Sequence, residues 1–183
     1  MSNLEEKQIK REKIFKGNVL EVVRDTVELP NGKPATREMC LHLGAVAVIP
    51  ILPDGRVVME RQYRYPIERV VLEIPAGKLD YKGEDPLAAA HRELREETGA
   101  IAGKMTPLGE LVASPALISE RIQLYLAEEL TFGERELDED EFLEVEYIPL
   151  SELVEMVMRG EICDGKTQIA VLKADKILRE RKQ

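Results

Sequence analysis

Three glutamates within one short segment are the residues of this sequence best suited to chemistry. Glu93, Glu96 and Glu97 lie among strong helix formers, and Arg92 and Arg95 are interleaved with them. Like charges four residues apart on a helix repel each other by about 0.2–0.5 kcal/mol. Two interpretations are open. Either the arginines damp the repulsion and the acidic face meets water, or a hard divalent cation such as Mg²⁺ or Mn²⁺ supplies the missing positive charge.

The helix that must position these glutamates has recognisable start and stop signals. Asp85 is a good N-cap, Pro86 suits the first helical position and Gly99 suits the position after the last turn. A helical wheel predicts a packing stripe formed by Leu87, His91, Leu94 and Thr98. The wheel places the glutamates on a separate face, with Ala89 one turn before Glu93, and it predicts that His91 is a packed core residue rather than a ligand.

The remaining elements mix strands and helices without strict alternation. Residues 13–43 predict a hairpin or a three-stranded sheet with a turn at Asn31-Gly32, too small to be stable alone. Strand patterns flank the Pro53-Asp54-Gly55 turn. Further strands are predicted at VVLEIP (70–75), 106–113, 122–130 and EVEYIPL (144–150), and further helices at 152–159, capped by Ser151, and at 167–181. This order predicts the α+β class, with a mixed β-sheet sandwich between helices.

Composition and charge narrow the function classes. The chain has 183 residues, 44% of them hydrophobic, which is enough for a core, and its net charge is −9. An acidic chain without a Lys/Arg block predicts no nucleic-acid partner. No apolar run approaches the roughly 20 residues that span a bilayer, and the charged N-terminus does not resemble a secretory signal. Two widely spaced cysteines, Cys40 and Cys163, predict neither a disulfide nor a metal motif. We therefore expect a cytoplasmic protein without a membrane partner.

The segment from Gly77 to Ala100 resembles the Nudix box, G-x5-E-x7-R-E-U-x-E-E-x-G-U, in which U is aliphatic. The match runs from Glu84 through RELREETGA, and the one departure is a loop of six residues instead of five between Gly77 and Glu84. The resemblance implies that Mg²⁺, or alternatively Mn²⁺, is bound by Glu93, Glu96, Glu97 and the carbonyl of Ala76. It implies structural roles in the loop and helix for Gly77, Glu84, Arg92 and Gly99.

Segments outside the box resemble the ADP-ribose pyrophosphatase branch of the Nudix hydrolases. They are REMCLHLGAVAVIPI, RQYRYPIERVVLEIPAGKLD, SPALISE and GEICDGKT. Pro115 follows Gly99 by 16 residues, as in that branch, whereas Ala116 stands where the branch has glycine. The resemblance implies that the substrate is contacted by Arg37, Arg64, Ser114 and Glu120. From the residues alone, Arg37 and Arg64 would equally suit the surface of a strand.

The acidic run ELDEDEFLE also has two interpretations. Such a run is by default a solvated turn. Hydrolysis, however, needs a base that positions and deprotonates the attacking water. The resemblance, aligned through EVEY, implies that this base is Glu139, with Glu141 as the nearest alternative.

The branch implies Mg²⁺-dependent hydrolysis of ADP-ribose to AMP and ribose 5-phosphate. It also implies a homodimer in which a small N-terminal β unit, residues 1–43, helps to close the site of the partner's catalytic domain, residues 44–183. Three alternatives stay open: a pyrophosphatase for other nucleoside diphosphate sugars such as GDP-mannose, a sensor that binds ADP-ribose without cleaving it, and a scaffold whose acidic helix contacts a partner. Three repelling carboxylates disfavour the sensor, because binding alone does not need them.

Overall fold

The computed structural model describes residues 4–137 and 141–181. Within them the strands are β1 (Lys7–Lys16), β2 (Glu21–Glu28), β3 (Pro34–Leu41), β4 (Ala45–Pro50), β5 (Arg56–Arg64), β6 (Arg69–Glu73), β7 (Ala76–Lys78), β8 (Ala100–Leu111), β9 (Ile122–Phe132) and β10 (Leu143–Pro149). The helices are α1 (Pro86–Thr98), α2 (Leu150–Met158) and α3 (Gly165–Glu180), and a short 3-10 helix, Tyr65–Ile67, follows β5. In this part of the chain no helix is both long enough and apolar enough to cross a bilayer.

The chain forms two compact units, and the first contains the N-terminal strands. Residues up to Gly44 and Val112–Arg121 belong to it, with β1, β2 and β3 in one antiparallel sheet. The segment 112–121 joins this unit because the backbone N–H of Cys40 donates to the Leu117 carbonyl at 2.8 Å and Ser119 donates back to Cys40 at 3.0 Å. The sequence pattern predicts this segment as part of the catalytic domain, residues 44–183.

The first strand begins earlier than the sequence pattern indicates. β1 starts at Lys7, and its ladder with β2 runs from the Lys7–Glu28 pair to the Lys16–Glu21 pair. All of its residues are exposed, so burial does not alternate along β1 as it does in a half-buried strand. The hydrogen-bond ladder, rather than burial of β1 side chains in this unit, therefore defines the strand.

The second unit contains two sheets with a shared core. One has the strand order β7-β4-β9-β8, in which β4 and β9 are parallel, and the other has the order β10-β5-β6. β4 is buried on both faces, which suits a central strand. Its Val46 and Val48 pack with α1, while Ala47 and Ile49 pack in the larger core with the second sheet, α2 and α3. The predicted α+β fold, a mixed sandwich between helices, is confirmed.

Several local expectations are wrong. In α1 the buried residues are Ala89, Ala90, Leu94, Glu97 and Thr98. His91 is exposed, not packed, and Leu87 is 40% exposed. The helix turns its alanines toward β4 because small side chains allow the backbones to approach, and this rotates the packing face toward the glutamates.

Boundaries also differ from the pattern. Ser151 lies inside α2, which begins after Pro149 and has no side-chain cap. α3 begins two residues earlier than predicted, since Asp164 accepts a hydrogen bond from Thr167 N and serves as the N-cap. β8 begins at Ala100, immediately after the turn that ends α1.

Candidate metal and active site

Both ends of α1 are fixed by the residues that the sequence predicts. The Asp85 carboxylate accepts hydrogen bonds from the backbone N–H groups of Leu87 and Ala88 at 3.4 and 3.2 Å. Gly99 has φ +73, and a Cβ there would lie 2.5 Å from the Gly133 carbonyl oxygen. Only glycine fits this left-handed, crowded position, so α1 stops one turn after the glutamates begin.

Glu97 is a buried carboxylate rather than part of a solvated face. It is 5% exposed, and its Oε2 accepts a hydrogen bond from the Ala76 N–H at 2.9 Å. Burial, together with the negative charges of Glu60 and Glu93, raises the pKa of Glu97 to about 10. The interpretation that the acidic face simply meets water is therefore wrong for Glu97.

Glu93 lies one turn earlier and against the β7 backbone. A Cβ on Gly77 would lie only 2.0 Å from the Glu93 Cδ, so the carboxylate occupies the space that any other residue would fill. Burial raises the pKa of Glu93 to about 7, although Arg92 opposes this by donating to its Oε1 at 2.8 Å. Gly77 thus has a steric role in admitting Glu93.

Arg92 connects the third glutamate to the loop before the helix. Its Nη1 lies 3.2 Å from Glu96 Oε2, and its Nη2 lies 3.4 Å from Glu84 Oε1 and 3.3 Å from Asp80 Oδ2. Glu84 in turn accepts a hydrogen bond from the Asp80 N–H at 2.6 Å. The structure therefore brings together the Arg92 and Glu84 side chains to which the resemblance assigns a structural role.

The longer box loop contains a tight turn. Gly83 has φ +90, and the Glu84 N–H donates to the Tyr81 carbonyl at 3.2 Å. Glycine tolerates this left-handed conformation without strain. The turn returns the chain to Glu84, so the six-residue loop still presents Glu84 to Arg92.

A fourth carboxylate, Glu60 on β5, was missed by sequence reasoning. It is 4% exposed, and within the described part of the chain no group donates a hydrogen bond to its Oε1. Burial and the neighbouring charge of Glu73 raise its pKa to about 8. The sequence does contain a signal for Glu60, because this residue directly follows the apolar run Val57–Met59. That run is fully buried in the structure.

Arg64 is held in place by a buried ion-pair network. Its Nε and Nη2 donate to the two Glu73 carboxylate oxygens at 2.7 and 2.9 Å, and Lys166 also donates to Glu73. Burial alone would raise the pKa of Glu73, but Arg64 and Lys166 hold it below its usual value. Asp164 lies 3.1 Å from the Lys166 ammonium. Glu73, Asp164 and Lys166 lie within the segments LEIPAGK and DGKT, where composition alone assigns them no role.

The other predicted substrate residues belong to the first unit. Arg37 pairs with Glu6 and donates to the Thr36 carbonyl at 3.0 Å. Glu120 lies 3.5 Å from His42 Nε2, and the Ser114 carbonyl accepts hydrogen bonds from the N–H groups of the following turn. The predicted metal ligands and Arg64 belong to the second unit.

The predicted base, Glu139, lies outside the described residues, whereas its alternative Glu141 lies inside them. The negative charge of Glu141 contributes to the raised pKa values of Glu60, Glu93 and Glu97, which places it near these carboxylates. Glu141 also lines an open groove of about 460 Å³ beside β5 and β10, together with residues such as Tyr63.

The donor set fits a divalent cation. Among the described residues no three acidic, histidine or cysteine side chains converge as a finished cage, and Arg92 pairs with Glu93 and Glu96. Within the described part of the chain, buried Glu60 retains an oxygen without a hydrogen-bond partner. Carboxylate oxygens with uncompensated buried charge are the environment that Mg²⁺ and Mn²⁺ stabilise.

Comparison with known proteins agrees with this geometry. The NUDIX domain family matches residues 41–167, and the chain belongs to this family. It is 47% identical to an ADP-ribose pyrophosphatase of Bacillus subtilis (strain 168) over 173 residues, 93% of each chain. It is also 47% identical to a methanol dehydrogenase activator of Bacillus methanolicus over 169 residues, 91% of each chain.

A solved structure shows the same fold. The crystal structure of an ADP compounds hydrolase superimposes with a TM-score of 0.84 and covers 97% of this chain and 96% of its own, at 24% identity. The Nudix fold predicted from the sequence is therefore confirmed, as is the family assignment.

Proposed function

We propose that this chain hydrolyses the diphosphate bond of ADP-ribose, giving AMP and ribose 5-phosphate, with Mg²⁺ as cofactor. The observation that carries the proposal is a pair of buried carboxyl groups, Glu97 on α1 and Glu60 on β5, which are 5% and 4% exposed. Such a group of carboxylates is unfavourable alone and favourable around a hard cation. The ADP-ribose pyrophosphatase of Bacillus subtilis, 47% identical, supports the choice of substrate.

The cation would be held by Glu93, Glu96, Glu97 and the carbonyl oxygen of Ala76. A bound divalent cation neutralises charge on diphosphate oxygens and lowers the pKa of a coordinated water. Glu97 is already oriented by the Ala76 N–H at 2.9 Å, so little reorganisation of its carboxylate is required. Mn²⁺ can substitute because it also favours oxygen ligands.

Arg64 is the residue of the second unit best prepared to bind the substrate. Glu73 holds two of its donors at 2.7 and 2.9 Å, which fixes the plane of the guanidinium group. A planar guanidinium matches phosphate oxygens better than a point charge does. Arg37, Ser114 and Glu120 complete the proposed substrate contacts, as the family resemblance implies.

The attacking water needs a base near the scissile bond. Glu139 is the first candidate and Glu141 the second. Charge repulsion from Glu141 reaches Glu93 and Glu97, which supports Glu141 as a base near the proposed metal ligands. Separate Glu139→Gln and Glu141→Gln variants distinguish the two, since only loss of the base lowers kcat strongly while substrate binding is kept.

The functional molecule is proposed to be a cytoplasmic homodimer. The whole of β1 is exposed, and its Ile9, Ile14 and Phe15 are at least 49% exposed. Such apolar side chains on an otherwise uncovered strand favour contact with a second copy of the chain. Sedimentation equilibrium tests the dimer, and a monomer at micromolar concentration would contradict it.

A substrate panel with Mg²⁺ tests the activity. Phosphate released by a phosphatase from the products is measured for ADP-ribose, GDP-mannose and other nucleoside diphosphate sugars. Release from ADP-ribose alone supports the proposal, equal release from several sugars favours a broader pyrophosphatase, and binding without release favours a sensor. Glu97→Gln should abolish turnover with the fold intact, whereas Glu128→Gln, on β9 where Glu128 pairs with Arg181, should leave it unchanged.

A second candidate function is activation of an alcohol-oxidising dehydrogenase. It is favoured by the 47% identity with the methanol dehydrogenase activator of Bacillus methanolicus. Adding the protein to such a dehydrogenase and measuring the initial rate tests this candidate. An unchanged rate at equimolar protein would exclude activation of that enzyme.

A further inference from the structure

Glu60 has no role in the box, yet it is among the most thoroughly buried charged groups of the protein. It is 4% exposed and lies opposite Glu73 in the β5–β6 ladder. The three residues before it, Val57, Val58 and Met59, are fully buried. A further apolar side chain at this position would avoid the cost of burying a carboxylate, which is several kcal/mol for an unpaired ion.

The cationic side chains near Glu60 form their contacts with other groups. Lys166 binds Glu73 and lies 3.1 Å from Asp164. Arg135 attracts the Glu60 charge, but its Nη2 donates to the Leu143 carbonyl at 3.4 Å. Within the described part of the chain, Glu60 Oε1 has no hydrogen-bond donor. A buried oxygen of this kind requires a partner that the side chains do not supply.

The Glu60 carboxyl group is buried near Glu97 of α1. Among the charged groups that the structure describes, Glu60 exerts the strongest repulsion on Glu97. Glu60 pairs with Glu73 in the β5–β6 ladder, three residues before Ala76, whose N–H donates to Glu97 Oε2 at 2.9 Å, so strand pairing brings Glu60 toward the segment that holds Glu97. Two buried carboxylates that repel each other are stabilised by a shared cation.

We propose that Glu60 is a further carboxylate of the divalent-cation site and that its unpartnered Oε1 binds the cation, directly or through one bound water. This inference rests on the proposed metal-dependent function and adds a residue from β5 to it. The site then draws oxygens from strand β5, strand β7 and helix α1 instead of from the box alone.

Mn²⁺ titration of the metal-free protein tests the inference without substrate. The electron paramagnetic resonance signal of free Mn²⁺ gives the Kd for the wild-type chain, Glu60→Gln, Glu97→Gln and Glu146→Gln. Outer and inner ligands of metal sites typically contribute about 10–100-fold in affinity, so we expect at least a tenfold higher Kd for Glu60→Gln and Glu97→Gln. Glu146→Gln removes the same charge from neighbouring β10, where Glu146 pairs with Arg61, and should stay within about twofold.

The outcomes separate this inference from the function. If the wild-type chain does not bind Mn²⁺, the proposed metal-dependent function is itself wrong. If Glu97→Gln loses affinity while folded Glu60→Gln keeps the wild-type Kd, only the role of Glu60 is wrong.

Crystals of the wild-type protein soaked in Mn²⁺ decide the matter even if Glu60→Gln fails to fold. An anomalous peak about 2.1 Å from Glu60 Oε1, or bridged to it by one water, supports the proposal. A peak beside Glu97 with Glu60 making neither contact overturns it.

Discussion

At the scale of single residues, the contact between Gly77 and Glu93 explains why a glycine is needed in the β7 strand. A Cβ on residue 77 would lie 2.0 Å from Glu93 Cδ and 2.1 Å from its two oxygens. Neither the β7 backbone nor α1 can shift easily, because Ala76 is bonded to Glu97 and the helix is capped at both ends. The carboxylate itself must therefore move.

Gly77→Ala is expected to displace Glu93 from the proposed metal site. We expect kcat/KM for ADP-ribose to fall by at least about tenfold and the Kd for Mn²⁺ to rise, since metal sites lose about that much when a ligand is disturbed. Gly165→Ala is the matched control, because a Cβ there meets nothing within 4 Å and no positive φ is involved. Unchanged Mn²⁺ affinity in Gly77→Ala would show that Glu93 does not need this position.

Lys166→Ala is expected to weaken substrate binding without changing the affinity for the metal. Loss of the Lys166 contact leaves Glu73 with Arg64 as its remaining partner, and the guanidinium group is less firmly oriented. We expect KM for ADP-ribose to rise roughly tenfold, in line with about 1.5–3 kcal/mol for charge-assisted hydrogen bonds. The Kd for Mn²⁺ should remain within about twofold.

Lys176→Ala serves as the control for this prediction. Lys176 is also on α3, but it is exposed and pairs only within the helix with Glu180 at 2.9 Å. If Lys166→Ala and Lys176→Ala have the same KM, Lys166 does not position Arg64.

At the scale of secondary-structure elements, α1 owes its fixed position to its caps. Asp85→Ala removes the acceptor for the Leu87 and Ala88 N–H groups and should lower the free energy of unfolding by about 1 kcal/mol. For a chain of this size the melting temperature should fall by about 2–4 °C in thermal unfolding followed by circular dichroism. Lys176→Ala, an exposed residue in α3, should change stability by less than about 0.5 kcal/mol.

Sequence patterns predicted this helix well at its ends and poorly around its circumference. Asp85 and Gly99 occupy the predicted cap positions because caps depend on local backbone hydrogen bonds. The predicted stripe is buried at Leu94 and Thr98, but the helix also buries Ala89 and Ala90 and exposes His91. Which face of the helix packs depends on strand β4, and a helical wheel takes no account of that strand.

The β5–β6 ladder carries the residues that pattern reasoning missed. Glu60 and Glu73 are opposite each other, and this register becomes visible only when the strands are paired. The pairing of Glu73 with Lys166 joins residues 93 positions apart, which no local signal encodes. A motif with fixed spacing, by contrast, lies on one helix, and for that reason the box glutamates were recognisable from the sequence.

At the scale of the whole molecule, the stability of the metal-free protein should fall as pH rises. The pKa values of Glu93 and Glu60 are raised to about 7 and about 8 from an ordinary 4.5, so the folded state binds more protons than the unfolded state across this interval. The free energy of unfolding then decreases with pH, from about pH 4.5 until both groups are ionised. Glu97, with a pKa of about 10, extends the decrease to higher pH.

Thermal unfolding in a chelator at about pH 6 and pH 8.5 measures this effect. We expect a lower melting temperature at the higher pH, and we expect added Mg²⁺ to raise the melting temperature more at pH 8.5 than at pH 6, since ionised carboxylates bind the cation more strongly. Equal melting temperatures in the chelator at the two pH values would contradict the burial of these charges.

The division of the chain into two units was only partly accessible from the sequence. The N-terminal strands were recognisable from the Asn31-Gly32 turn, where Gly32 has φ +78. The addition of Val112–Arg121 to that unit depends on backbone hydrogen bonds to Cys40, which leave no trace in residue type. Long-range backbone pairing of this kind cannot be predicted from composition or from hydrophobic periodicity.

The bond between Lys166 and Glu73 has an evolutionary consequence. Since Arg64 and the first turn of α3 share one carboxylate, a paralogue that keeps the entire Nudix box but replaces Lys166 is expected to prefer different nucleotide sugars. Directed evolution of new specificities can therefore begin in the last helix, where substitutions leave the hydrolytic residues untouched.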